Sequence, residues 1–376
     1  MQTPRYEYSR SKIEERLTEF KSLQAPFGIT VRYALKANPH AEIVKMMNEA
    51  GVHFDASSSY EAQELLEQGV EGSHISLSSQ QSPHNLEHLL QKGVLFVATS
   101  FKQLELFLHT HGRPDTVAIR INPSMGYGHN NRTTTGGVNA SFGIWHEYSE
   151  KIKEVAHVGG VVIDRMHIHI GSGADPAVWG GVMESALIHV EQFADVTTLD
   201  IGGGFKVHRY GKEAETNLKD VLDVFSEKVN AFKAKTGREI HLEIEPGTYA
   251  IAHVGTLIAQ VEDIVDTGTQ GYTFMRLNTG MNDFLRTSLY GAQHDIEVVN
   301  ESRVQKEYVV VGHNCESGDL FTSVHGNSEE LETRLLNEAS IGDEVRIRDV
   351  GAYCASMRAK GYNSFPDASE ILVDES

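Results

Sequence analysis

Residues 29–69 read ITVRYALKANPHAEIVKMMNEAGVHFDASSSYEAQELLEQG. ITVRYAL reads as a strand. AEIVKMMNEAG follows with apolar residues at helical spacing and stops at Gly51. VHFDAS restarts the pattern as a strand, and SYEAQELLEQG is a second helix, opened by a capping serine and closed by Gly69. HISLSS with HNLEHLLQKG repeats the unit, as do LFVATS with FKQLELFLHTHG and VAIRIN with the loop and helix after it. RMHIHIGS, TTLDIGGG and IHLEIEPG are later strands, each ending in a glycine-bearing turn. Apolar strands alternating with helices imply parallel strands covered by helices. About eight such strands predict a (β/α)8, TIM-like barrel rather than an open sheet.

The pattern changes near Gly255. TLIAQVEDIVDTG, YTFMRLN, EYVVVGH and DEVRIRDVG read as strands with short turns. The expected division is therefore a barrel over residues 10–254 and a C-terminal β domain, barrel or sandwich, over 255–376, with residues 1–9 as an added strand. Such a two-domain arrangement suits a chain of 376 residues, 40% of them hydrophobic. The formal net charge of −19 argues against nucleic acid or an anionic membrane as partner. MQTPRYEYSR has no apolar core of a signal peptide, and no run approaches the ~18 apolar residues of a membrane span. Two cysteines are too few for a disulfide framework or a structural zinc site, so a reducing cytoplasm is expected. The segment PSMGYGHNNRTTTGGVNASFGI is long and irregular, and its part from Ser124 to Ala140 is a candidate for a loop that closes over a ligand.

In a barrel of this kind chemistry gathers where strands end. Lys36, Asp55, His169, Gly202, Gly203, Gly204 and Glu245 all stand at predicted strand ends. Lys36 reads either as a surface lysine on a turn or as a partly desolvated amine nucleophile able to form a Schiff base. The three glycines of LDIGGGF make a tight turn or a phosphate cradle of backbone N–H groups. Glu245 in EIEPGTY caps a helix or holds a proton on a cofactor's ring nitrogen. His167 and His169 share a strand face by the period of two. No third ligand with zinc spacing stands nearby, so a ring stacked on a planar ligand or a core histidine is expected, and no metal. Ser172 bonds a phosphate or merely its turn. Beyond the barrel, GHNCESGDLF offers Cys315 and Glu316, and DVGAYCASM offers Tyr353. MNDFLRTSLY offers Arg286 and Tyr290 at i and i+4, suited to gripping a carboxylate.

Taken in order, YALKANP, HFDASS, HIHIGSG, LDIGGGF, EPG, LRTSLY, CESGD and GAY resemble the pyridoxal-phosphate (PLP) decarboxylases of the alanine-racemase-like fold, and within them the diaminopimelate decarboxylases. TPRYEY and YNSFPDASEILV extend the resemblance across nearly the whole chain. The resemblance implies that Lys36 holds PLP covalently, that His169 stacks on its ring and that Glu245 faces its ring nitrogen. It implies phosphate contacts from Ser172, Gly202 to Gly204, the EPG turn with Gly247 and Thr248, and Tyr353, with Asp55 near the lysine. Cys315 matches the residue credited with reprotonating the substrate carbon. Glu316, Arg286 and Tyr290 match substrate-binding positions. The implied reaction is decarboxylation of an amino acid, meso-diaminopimelate to L-lysine, or another substrate of the same family. The family's sites form between two subunits, so a homodimer sharing active sites is implied. One departure stands out: the usual EPGR reads EPGT, with Thr248 in place of an arginine that helps bind phosphate or substrate carboxylate. MRAKGYN adds Arg358 and Lys360, which are expected either to compensate for the missing arginine or to recognise a larger acidic substrate.

Overall fold

The computed structural model describes residues 2–126 and 136–374. The chain forms two compact units. Leu17–Val207 with Ala214–Ala250 make one; the described parts of Met1–Arg16, His208–Glu213 and Ile251–Ser376 make the other. Against an expected boundary between residues 254 and 255, the division falls between Ala250 and Ile251. Residues up to Arg16 belong with the β unit because the helix Arg10–Ser22 runs directly on from the strand Arg5–Ser9.

The first unit is a closed parallel barrel of eight strands: Ile29–Ala34, His53–Ala56, Ile75–Ser78, Leu95–Ala98, Thr116–Asn122, Val162–His167, Thr198–Asp200 and His241–Ile244. Each pairs with the next, and the last returns to the first with Leu242 opposite Ile29 and Ile244 opposite Val31. Closure leaves no open edge. Helices follow the strands and bury one stripe each, as Ile43, Val44, Met46 and Met47 do for Ala41–Glu49. Ser58 and Ser100 cap the helices Ser59–Glu67 and Phe101–His109 by accepting from Glu61 N and Gln103 N. The loop expected over Ser124–Ala140 falls largely on residues 127–135, which lie outside the described residues.

The lumen holds an ionic cluster. Arg32 Nε and Nη2 donate to Glu243 Oε2 and Oε1 at 3.0 and 2.9 Å, and Arg165 Nη1 reaches Oε2 at 2.9 Å. Burial alone would push Glu243 up, but hydrogen bonds and charge from Arg32, with Arg165, bring it below the ordinary carboxylate value.

The second unit is an eight-stranded, mostly antiparallel sheet. Gly255–Asp266 is central, pairing with Glu344–Arg348, Thr273–Leu277 and the N-terminal strand Arg5–Ser9. The C-terminal strand Ser369–Val373 then runs parallel to Arg5–Ser9, so both ends of the chain close this sheet. Among the described residues no helix is long and apolar enough to cross a membrane.

Glu243→Gln keeps the volume of this buried acid but leaves two guanidinium groups without their countercharge. Breaking a buried pair this way is expected to cost about 3–5 kcal/mol, read as a lowered urea midpoint for the barrel. A loss below ~1 kcal/mol would mean that the cluster does not hold the seam together.

Candidate active site

The barrel brings its expected residues to one end, where the strands finish. Lys36 lies in the single 3-10 turn Leu35–Ala37, directly after the first strand. Its Nζ donates to Asp55 Oδ2 at 3.2 Å and Ser57 Oγ at 2.8 Å. The lysine side chain is 44% exposed and the aspartate 1%. Lys36 thus reaches from the mouth toward a buried anion, and Asp55 Oδ1 has no partner among the described residues.

Glu245 follows the eighth strand, and its backbone N donates to Gly202 O at 2.8 Å. The carboxyl is buried; its Oε2 lies 3.6 Å from His167 Nε2, and Oε1 has no partner. Asp200 ends the seventh strand, with Oδ1 accepting from Gly202 N at 2.8 Å. Donor atoms of His167, Asp200 and Glu245 all lie within 4.8 Å of one another. The fold therefore supplies neighbours that sequence spacing did not show. Burial, with Glu243 nearby, pushes Asp200 up to about 6. Burial, with Asp200 and Asp55, holds Glu245 well above the carboxylate range. Burial and the charge of Arg120 hold His167 well below its usual value, so its ring is neutral. The cluster stores protons on its acids.

His167 and His169 do not share a strand face. The strand Val162–His167 ends at the first of them, and Ile168 N turns to Asp200 O at 2.8 Å. His167 Nδ1 meets Ser78 Oγ at 3.2 Å, while His169 Nδ1 accepts from Gly203 N at 3.2 Å. An acceptor nitrogen requires a neutral ring, and burial with Arg120 and Lys36 pushes His169 well below its usual value.

The glycine turn is required by close approach. Gly202 and Gly204 have φ of +73° and +106°. A Cβ at Gly202 would strike the His169 ring, and one at Gly204 the Gly171 carbonyl oxygen. Gly173 N donates to Gly204 O at 3.1 Å, which fixes the turn holding half-buried Ser172 beside the glycines. Gly247 is buried, and Thr248 opens the short helix Thr248–Ile251.

The remaining expected residues belong to the β unit. Arg286 and Tyr290 bound one short helix, as their spacing implied. Cys315 is an exposed free thiol, and its backbone N donates to Asn363 Oδ1 at 2.7 Å. Glu316 accepts from Gly318 N at 3.2 Å, and Asp319 pins the turn from within, accepting from Met281 N and Asn314 N at 2.7 and 2.8 Å. Tyr353 adopts a left-handed φ of 58°. Arg358 corrects an expectation. Its side chain is only 3% exposed and bonds Glu370 Oε1 at 2.5 Å and Ala368 O at 3.0 Å, over the Tyr6 ring. Its charge serves the sheet and is not offered to a substrate. Lys360 likewise pairs with Asp367 at 3.3 Å.

Sequence reasoning missed Arg120 and Asp200. Arg120 is buried at the end of the fifth strand, over the Phe142 ring at 5.0 Å, and its charge reaches Glu245, Asp55 and Asp200. A charged residue inside the apolar run VAIRIN was the available signal.

The site fits PLP on its own features. Glu245 Oε1 is a buried, unpartnered oxygen for a ring nitrogen, an amine stands at Lys36, and backbone N–H groups approach without side chains at the glycine turn. Residues 10–252 match the family described as pyridoxal-dependent decarboxylase, pyridoxal binding domain. The chain is 31% identical over 384 residues to diaminopimelate decarboxylase of Streptomyces coelicolor, covering 99% of this chain and 84% of that protein. It is 32% identical over 365 residues to the Escherichia coli K12 diaminopimelate decarboxylase, covering 92% and 83%. The crystal structure of the Helicobacter pylori diaminopimelate decarboxylase complexed with L-lysine superposes with a TM-score of 0.87 at 28% identity, covering 100% of this chain and 93% of that one. The chain belongs to the pyridoxal-dependent decarboxylase family. It is a PLP-dependent amino-acid decarboxylase, a carboxy-lyase.

The raised Asp200 gives a signed pH dependence. Folded protein keeps a proton that the unfolded chain releases above 3.8, so this group's contribution to stability falls as pH rises from 3.8 to about 6 and is level beyond. Cofactor-free Asp200→Asn is expected to lose that fall. Unchanged pH–stability curves from thermal unfolding would place the proton elsewhere.

Proposed function

We propose that the chain removes one carboxylate from meso-diaminopimelate, giving L-lysine and CO2. Near full-length similarity to diaminopimelate decarboxylases supports the substrate. The observation that carries the chemistry is the buried, unpartnered Glu245 Oε1 on the strand paired with that of Lys36. PLP, when bound, supplies an electron sink for the pair released as the carbon–carboxylate bond breaks.

Each residue then has a task. Lys36 anchors the cofactor covalently, and Asp55 and Ser57 orient its amine. Glu245, pushed up by burial and its acidic neighbours, faces the ring nitrogen and shares a proton with it, which favours the cationic form of that nitrogen. His169 packs as a neutral ring, and Ser172 with Gly202, Gly203, Gly204, Gly247, Thr248 and Tyr353 takes the phosphate. Arg286, Tyr290 and Glu316 meet the substrate. The Cys315 thiol gives its proton to the carbon that lost CO2 and is reprotonated by solvent. An exposed Cys315 fits donation to a second copy's site, and so a homodimer with shared sites. Two free thiols fit the cytoplasm.

Three measurements test this reading. Lys36→Ala should lose the visible absorbance of lysine-bound PLP; an unchanged band would remove Lys36 from its role. Cys315→Ala should keep the band and slow CO2 release about 10²- to 10⁴-fold, and mixing it with Lys36→Ala should restore activity if sites are shared. CO2 release across meso-diaminopimelate, lysine, ornithine and carboxylated polyamines should favour the first; preference for another at least tenfold would overturn the substrate while leaving the family intact.

A further inference from the structure

The proposed reaction leaves His167 without a task, although its side chain is only 2% exposed and lies against Glu245. The barrel holds it there through the backbone. In the strand register His167 stands between Arg120 on one side and Asp200 on the other. Ile168 N, one residue on, donates to Asp200 O at 2.8 Å, and Glu245 N donates to Gly202 O at 2.8 Å. All of these residues belong to the barrel unit.

The two ring nitrogens face different partners. Nδ1 lies 3.2 Å from Oγ of Ser78, the last residue of the third strand. Nε2 lies 3.6 Å from Glu245 Oε2 and has no hydrogen-bond partner among the described residues. Buried polar atoms left open in this way are rare in folded proteins. Hydrogen bonds of active sites are commonly long until the site fills, and a small movement of the Glu245 side chain closes this gap. The surroundings favour a neutral ring: burial holds His167 well below its usual value, and Arg120, His169, Lys36 and Arg165 push the same way. A neutral imidazole carries one N–H, and the bond made at one nitrogen decides where it sits. When the Ser78 hydroxyl donates to Nδ1, the proton is on Nε2 and faces Glu245. Asp200, the other acid within reach, is already met, since its Oδ1 accepts from Gly202 N at 2.8 Å.

We propose that His167 is a positioning residue for Glu245: held in its Nε2–H form by Ser78, it donates to Glu245 Oε2 and leaves Oε1 as the oxygen that meets the cofactor's ring nitrogen. A hydrogen bond given to a carboxylate favours the ionised form. A proton shared between Oε1 and the ring nitrogen is therefore drawn toward the nitrogen, where it strengthens the electron sink. His167 itself gains and loses no proton in this role. The assignment rests on the task given to Glu245 above, and the test separates the two.

The experiment uses enzyme loaded with PLP that carries a nitrogen-15 label in its ring, with the variants His167→Leu, His167→Gln and Ser78→Ala. The nitrogen-15 resonance separates a protonated from an unprotonated ring nitrogen, and CO2 release is followed on whichever substrate the panel above favours. The parent is expected to show a protonated nitrogen. His167→Leu keeps a comparable volume without either ring nitrogen. It should keep the visible PLP band, move the resonance toward the unprotonated position and lower kcat roughly 10- to 100-fold, the size of effect found for groups that orient a metal ligand, with a smaller change in KM. His167→Gln retains an N–H near the place of Nε2 and should recover most of both. Ser78→Ala should move the resonance the same way by less, and this small change keeps the question open to measurement where His167→Leu does not fold. A protonated parent whose resonance neither His167→Leu nor Ser78→Ala moves would overturn the role of His167 and leave that of Glu245 standing. A His167→Gln variant as impaired as His167→Leu would make His167 a packing residue and overturn the role too. An unprotonated nitrogen in the parent would sink the task of Glu245 first, and that of His167 with it.

Discussion

The ion pair between Arg32 and Glu243 joins residues 211 positions apart and pins the seam where the eighth barrel strand meets the first. The register it holds brings Lys36, four residues beyond Arg32, and Glu245, two residues beyond Glu243, to the same end of paired strands, within electrostatic reach of each other. Neither residue could be placed against the other by local propensity, because each belongs to a strand end whose position depends on closure. The pair lies below the mouth, away from the reacting groups, and its second guanidinium, Arg165, ties in the sixth strand. The eighth strand thus carries one buried acid held by arginines and is followed at once by a second, Glu245, whose Oε1 has no partner among the described residues. Glu243 is drawn below the usual carboxylate range by two arginines, whereas Glu245 is driven above it by burial and acidic neighbours. Two residues of separation along a strand are enough to invert the electrostatics.

That inversion explains why the mouth is poised rather than merely acidic. Asp55, Asp200 and Glu245 converge in a region where Lys36 and Arg120 bring positive charge near Glu245. Three ionised acids there would repel, so protons remain on the site. Burial there favours the protonated form of Glu245 and Asp200. The neutral state of His169 follows from the same balance: a cation there would face Lys36 and Arg120, and its acceptor nitrogen would be lost to Gly203.

The barrel was legible because each unit carries its own stop signals, such as Gly51 and Gly69, and because its strands are short, mostly apolar runs. The mouth was legible in outline, since Lys36, Asp55, Gly202 to Gly204 and Glu245 all follow short apolar runs. Arg120 escaped because alternation along a strand suggests that a charged residue faces water, while closure turns it toward the site. The histidine pair misled because a period of two holds only while the strand lasts, and it ends at His167. Arg358 misled for a related reason: in sequence it stands in a polar tail, but Glu370 arrives on the strand Ser369–Val373 and takes its charge. What sequence hid in each case was the identity of the counter-ion, which is a property of three-dimensional neighbours.

Counter-ions also bear on how Thr248 can be tolerated. The chain carries a formal charge of −19, so an acidic substrate gains nothing from the overall field and must be held by local cations. A carboxylate that stays on the substrate throughout the reaction interacts equally before and during bond breaking. Its binding energy therefore selects the substrate through KM and contributes little to the chemical step. Such a contact can move from one loop to another during divergence, provided that the charge reaches the same anion. A contact to the electron sink, the role proposed for Glu245, has no such freedom, because it acts on the charge that develops as CO2 leaves. On this view the barrel's strand ends should tolerate little change, whereas the cations that recognise the substrate can be redistributed.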